Sequence, residues 1–313
     1  MKKALIVGIN NYPISPLSGC VNDASAISSI IETNGDGSPN FSVALKTDTQ
    51  SKSVLMESIV ELFNGDCETV LFYFSGHGFL NSLGGFIVTP DYKKYDEGIS
   101  MDQILQLANN SKAKNKIIIL DCCHSGSFGS PAISNGTTCQ INEGVTILTA
   151  SRGDELAMEI NGHGVFTNLL LDALRGGASD LGGHITPGSV YAYIDQALGP
   201  WSQRPVFKTN VTSFTSLRKI NPPIDTDILR KITEYFPEQN HEYKLDPTYE
   251  FDNKDIAIED NVKIFKDLQK LEGVGLVVPV NEDHMYYAAI NSGSCKLTAL
   301  GAHYWRLAKD KLI

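Results

Sequence analysis

Two apolar runs, each ending in a polar cluster, limit what this chain can fold into. Lys116–Ser127 reads KIIILDCCHSGS, and Val70–Gly78 reads VLFYFSGHG. A continuous apolar run rich in β-branched and aromatic residues suits a strand covered on both faces, as in a parallel sheet. Each polar cluster then falls just past a strand's carboxyl end, where open α/β sheets place their ligand sites. If the two strands are neighbours, His77 emerges beside the pair Cys122-Cys123. A histidine next to a thiol is the minimum equipment of a cysteine nucleophile.

The surrounding pattern alternates strands and helices. Strands are expected at Ala4–Ile9, Phe41–Lys46, Val145–Thr149 and, as an edge, Arg204–Lys208. Helices are expected from Gly19 to about Thr33 with Asn22 as cap, and over Ser51–Phe63, Ser100–Asn109, Phe166–Leu174 and Ser189–Leu198. Gly84–Thr89 reads as a hairpin arm and Pro90–Gly98 as a charged loop. Such alternation implies an α/β fold with a mostly parallel sheet flanked by helices. Ser127–Glu143 is a long polar loop of the kind that carries function.

Asn221-Pro222-Pro223 reads as a linker, because neither proline donates to a ladder or continues a helix. Two domains are therefore expected, 1–220 and 221–313. In the second, helices near Asp227–Tyr235 and Val262–Leu271 precede strands at Leu276–Val280 and Tyr286–Asn291. Leu300–Leu307 closes the chain as a helix. This order predicts a small α+β module resembling a winged helix.

Charge narrows the partners. The formal net charge is −10, and residues 221–313 hold 11 Lys/Arg against 16 Asp/Glu. Nucleic acid and anionic membranes require a basic field, so neither is expected as a partner. The C-terminal module is instead expected to bind a regulatory protein. The opening MKKALIVGINNY is too short in its apolar run for a secretory leader and reads as the first strand. The six cysteines show no Cys-x-x-Cys spacing, so no zinc site is expected; without a secretory signal they read as reduced thiols in a cytoplasm.

Ser75-Gly76-His77-Gly78 and Asp121-Cys122-Cys123-His124-Ser125-Gly126 together resemble the catalytic motifs of caspase-like cysteine peptidases, in particular the metacaspase and bacterial orthocaspase branch. The resemblance spans roughly residues 1–210. It includes Gly19-Cys20-x-x-Asp23-Ala24, Leu148-Thr149-Ala150-Ser151 and Gly164-Val165-Phe166-Thr167. It implies a caspase-like sheet, with Cys123 as nucleophile and His77 as its base in a Cys-His dyad. Backbone N–H groups of Gly78 and Cys123 would form the oxyanion hole. Cys122 and the remaining cysteines have the ordinary role of small buried hydrophobes. The histidines other than His77 are expected to be structural.

The resemblance also implies an acidic pocket for an Arg or Lys side chain, formed by Asp23 and Asp121 with Cys20 and Ser75. Two carboxylates in a partly dry cleft suit a guanidinium held bidentately. The ordinary alternatives are that Asp23 caps a helix and Asp121 bonds loop amides. Glu155 or Glu159 could add a third carboxylate. Calcium is not expected as a cofactor, because Gly126–Ser130 lacks the carboxylate that calcium-binding relatives carry there; Asp91, Asp96 and Glu97 read as a solvated loop. The expected activity is thus an endopeptidase cutting polypeptides after Arg or Lys, in defence or cell death by the resemblance. A catalytically silent interaction scaffold is the competing reading, and a transcription regulator a weaker one.

Ser127–Glu143 contains no Lys, Arg or Asp. An enzyme specific for basic residues cannot cut itself there, so the chain should work uncleaved across that loop. Autolysis is expected instead at Lys93-Lys94 or Arg218-Lys219. Intact-mass analysis of wild type and Cys123→Ala after incubation checks this; a Cys123-dependent cut between Ser127 and Glu143 overturns it.

Overall fold

The structure is a computed structural model that describes residues 1–122, 140–150, 159–160, 163–199 and 204–313. Cys123, His124, Cys139, Glu155 and most of the Ser127–Glu143 loop lie outside the described residues, as does the side chain of Glu159. The chain divides into two compact units, Met1–Asn221 and Pro222–Ile313.

The first unit is built on β1 (Lys2–Gly8), α1 (Cys20–Ile31), β2 (Ser42–Thr47), α2 (Lys52–Phe63) and β3 (Thr69–Ser75). A small antiparallel sheet follows, made of β4 (Gly78–Asn81), β5 (Gly84–Lys93) and β6 (Asp96–Ser100). Then come α3 (Met101–Asn110), β7 (Asn115–Asp121), β8 (Val145–Thr149), and the short pair β9 (Glu159–Ile160) and β10 (His163–Gly164). The unit ends with α4 (Val165–Asp172), β11 (His184–Ile185), α5 (Pro187–Leu198), β12 (Val206–Asn210) and β13 (Arg218–Lys219).

The central sheet runs β12-β8-β7-β3-β1-β2. All its pairings are parallel except β12 on β8. Both faces are covered, which is why β3 and β7 are buried at every position. The pleat sends alternate residues to opposite sides. Phe72, Phe74, Ile118 and Leu120 pack with Leu55, Ile59 and Ile104 of α2 and α3. Leu71, Tyr73, Ile117 and Ile119 pack with Ala24, Leu170 and Ile194 of α1, α4 and α5. This is the α/β architecture with a mostly parallel sheet expected from the alternation.

Several local expectations change. Helix α1 is capped by the backbone of Gly19 with no side-chain cap, and Asn22 is an exposed first-turn residue. Ser51 and Ser100 cap α2 and α3, accepting from Val54 N–H and Asp102 N–H. The segment read as a charged loop is mostly strand. Its acidic residues are structural: Asp91 accepts the Lys52 amide and the Thr89 hydroxyl, Asp96 pairs with Lys52 Nζ at 2.6 Å, and Glu97 accepts the Tyr95 amide. Arg218-Lys219, expected as a cleavable pair, is instead the strand β13 paired with β11. The Arg218 guanidinium is anchored on the carbonyls of Thr33 and Leu174, so this segment cannot extend into another active site. Lys93-Lys94 sits exposed at the β5–β6 turn.

The second unit comprises α6 (Thr226–Tyr235), β14 (Glu242–Lys244), α7 (Glu259–Gly273), β15 (Val277–Val280), α8 (Met285–Ile290), β16 (Ser294–Leu297) and α9 (Ala299–Lys309). Its sheet is antiparallel, in the order β14-β16-β15. The strand expected over Tyr286–Asn291 is the helix α8, and the true partner of β15 is β16. Met285, Ala288 and Ala289 are buried at helical spacing. The tyrosines and isoleucine there suggest a strand by propensity, and tertiary packing of the other face prevails.

Candidate active site

The parallel register of β3 and β7 sets Ser75 directly opposite Asp121. The two motifs therefore leave the sheet side by side. Gly76 follows Ser75 with its amide on the Asp121 carbonyl at 3.4 Å. A Cβ here would lie 2.5 Å from the Tyr12 hydroxyl, so only glycine lets the tyrosine approach.

His77 comes next and is half-buried. Its backbone N–H donates to Tyr12 Oη at 3.0 Å, and that hydroxyl donates to the Val88 carbonyl at 3.2 Å. Val88 N–H in turn donates to the His77 carbonyl. Burial, chiefly, pushes the Tyr12 phenol far above its ordinary pKa, so it stays a neutral donor. The imidazole Nε2 lies 2.7 Å from the Ser15 carbonyl oxygen. A carbonyl only accepts, so Nε2 carries the proton and Nδ1 is left as the acceptor for an incoming proton. A backbone carbonyl is thus the orienting third group that a dyad reading of the sequence lacked. No residue type signals it, because every residue supplies the same oxygen.

Asp23, Ser75 and Asp121 meet on the α1/α4 side of the strand ends. Asp23 and Asp121 are 2% and 6% exposed, so neither is a solvated carboxylate. Asp23 Oδ1 accepts from His163 Nδ1 at 2.7 Å, and Oδ2 accepts from Gly164 N–H at 3.2 Å and Ser75 Oγ at 3.5 Å. Asp121 Oδ2 accepts from Thr167 Oγ1 at 2.6 Å. The Thr167 hydroxyl in turn accepts a hydrogen bond from Tyr73 Oη, 2.7 Å away, which completes a buried relay of donors. A Cβ on Gly164 would lie 2.6 Å from Asp121 Oδ2 and 3.4 Å from Asp23 Oδ2, so this one glycine touches both acids.

Asp23 is neither the cap of α1 nor a surface residue, and Asp121 accepts a bond from a threonine. Desolvation holds Asp23 above the ordinary carboxylate pKa, against the lowering effect of His163, Gly164 and Ser75. Desolvation, then the two acids, keep the fully buried Tyr73 protonated. Cys20 opens α1 and is buried, near enough to Tyr12 and Tyr73 to oppose their ionisation. Cys122 is 1% exposed within the α2/α3 core, as expected of the cysteine that points inward. Gly78 opens β4 beside His77. Cys123 lies outside the described residues. Among the described residues no group of three His, Cys, Asp or Glu is arranged to hold a metal ion.

A family model described as the caspase domain matches residues 1–214. The chain belongs to the caspase-domain family. This makes it a caspase-like cysteine peptidase in general type, acting on polypeptides. Similar solved structures share the fold. A structural-genomics protein of Geobacter sulfurreducens is 16% identical, with a TM-score of 0.52 over 71% of this chain and 97% of its own. Caspase-1 of Spodoptera frugiperda is 15% identical, with a TM-score of 0.50 over 70% of this chain and 90% of its own. No curated protein sequence matches the chain.

His163, Gly164 and Thr167 complete the caspase domain's acidic site, and sequence reasoning did not assign them to it. The Gly164–Thr167 motif was visible, but its acidic partners Asp23 and Asp121 lie 141 and 46 residues away. Gly164→Ala should force the new methyl onto Asp121. The expected cost is about 1–3 kcal/mol of stability, read by chemical denaturation; an unchanged midpoint would show that the two acids can separate freely.

Proposed function

We propose that this caspase-domain protein is an endopeptidase that cleaves polypeptides after arginine or lysine. The observation that carries the reading is the convergence of two buried acids, Asp23 and Asp121, on Gly164 beside the His77 strand end. Burial makes a carboxylate costly to ionise, and a cation placed beside it favours the charged form. A guanidinium or ammonium offsets that cost, whereas a substrate carboxylate would add to it. Arginine is preferred because its planar fork engages carboxylates bidentately.

Cys123 attacks the scissile carbonyl carbon as a thiolate, forming the carbon–sulfur bond. His77, held by the Ser15 carbonyl on Nε2, takes up the thiol proton on Nδ1. The N–H groups of Gly78 and Cys123 would stabilise the developing oxyanion, each such donor contributing about 3 kcal/mol. His77 then gives its proton to the leaving nitrogen as the carbon–nitrogen bond breaks. Water hydrolyses the thioester and restores the enzyme. The C-terminal unit, acidic in balance and winged-helix-like in its reading from sequence, would bind a regulatory protein partner, and the reduced cysteines fit a cytoplasmic setting.

Cys123→Ala and His77→Ala should each abolish cleavage of Arg-containing peptides in a folded protein, while Cys122→Ala retains it. Asp121→Ala should reduce kcat/KM for Arg or Lys substrates by at least about a hundredfold, since it unpairs a charge in a dry site. A library in which the residue before the cut is varied reads this, and a preference for Asp or Glu there overturns the reading.

The raised pKa of Asp23 sets a pH dependence. A basic side chain needs the carboxylate ionised, and a raised pKa means protonation begins at higher pH than for an exposed aspartate. KM for an Arg substrate should therefore rise on acidification before the ordinary aspartate range is reached. In Asp23→Asn this acid-side rise should vanish, leaving a uniformly high KM. A wild-type KM that stays flat down to that range would contradict the assignment.

A further inference from the structure

A cavity of about 390 Å³ opens beside His77 on the face of the sheet opposite the two acids. Tyr12, Phe79, Val88 and Tyr92 line it, together with the histidine itself. Tyr12 and Val88 belong to the α2/α3 core, whereas Asp23, Ser75 and Asp121 lie on the α1/α4 side. The strand end Gly76-His77 separates the two. Resting on the peptidase reading above, we propose that this cavity is the subsite for the residue that follows the scissile bond, and that it takes a large apolar or aromatic side chain.

The occupant follows from the chemistry of the cut. His77 hands its proton to the nitrogen of the leaving strand, so the residue bearing that nitrogen is the part of the substrate closest to the imidazole. With the basic side chain in the acidic site, a substrate crossing the carboxyl edge of the sheet carries its next residue toward the other face. The cavity there is preformed. The hydroxyl of Tyr12 is fixed by His77 N–H and by the Val88 carbonyl, and Val88 is bonded to His77 through its own amide. The wall is therefore tied to the same backbone that holds the histidine, and little ordering is needed on binding. Phe79 is 40% exposed, so an incoming apolar side chain covers surface that water now wets. Lys93, Lys94 and Glu97 also border the cavity; both lysines are exposed, and Tyr12, Phe79, Val88 and Tyr92 supply the apolar contact that would select the side chain.

Two peptide libraries on the intact chain test this, with cleavage sites read by mass spectrometry. One fixes Arg before the bond and varies the following residue; the other randomises both positions. Phe, Tyr, Leu or Met after the bond should raise kcat/KM about tenfold or more over Gly. Tyr92→Ala and Phe79→Ala should bring that ratio close to one, while Tyr92→Phe should keep it. Should the alanine variants not fold, the wild-type ratio and Tyr92→Phe still decide. Equal rates across following residues, or a preference for Gly or Ser, overturn the subsite even if cutting is confined to Arg and Lys. Cutting after other residues with the bulky preference intact overturns only the basic specificity. No cleavage of any peptide overturns both.

Discussion

The parallel pairing of β3 with β7 is the constraint on which the rest depends. Seven consecutive positions of each strand are paired, from Thr69 opposite Asn115 to Ser75 opposite Asp121. Because the side-chain period is two, a slip of one residue would turn Tyr73 and Asp121 to the wrong face. Both faces are packed with large side chains, Phe72 and Phe74 on one side and Leu71 and Tyr73 on the other. Register is therefore fixed by burial, and the ends of the strands arrive together.

That register divides the site's work between the two faces. On the α1/α4 side, acids are held in a dry environment by donors from His163, Gly164, Thr167 and Tyr73. On the α2/α3 side, the histidine is held by Tyr12, Val88 and the Ser15 carbonyl. Each arrangement satisfies its polar groups internally, which is what makes burial tolerable. The Asp23–His163 contact is the least symmetrical part, since a 31% exposed imidazole meets a 2% exposed carboxylate. It joins solvent to an otherwise sealed acid.

The C-terminal unit shows a similar balance on a smaller scale. Trp305 donates its indole N–H to the Phe236 carbonyl, tying α9 to the end of α6. Tyr235 and Lys231 of α6 share Asp267 of α7, and burial, followed by this contact, holds the Tyr235 phenol above its ordinary pKa. These contacts join α6, α7 and α9 in the unit that carries the three-stranded sheet. The apolar spacing of α6 and α7 announced both helices. The swap of strand for helix at Met285–Ile290 did not show, because a six-residue segment offers too few turns for its period to stand out.

The sequence by itself determined the alternation of elements, the two strand-end motifs, the family, and the types of residue at the site. These are local properties, carried by apolar runs, turn residues and the spacing of neighbours. Tertiary structure decided the partners. Asp23 finds His163 across 140 residues, and His77 finds an oxygen of Ser15 across 62. Neither link leaves a trace in either segment, because a hydrogen bond between distant residues depends on where the sheet and helices bring them. The same holds for the role of Gly164, whose missing side chain matters only because two acids are folded against it. Residue types were legible in the chain; which of them became neighbours was set by packing on the two faces of one sheet.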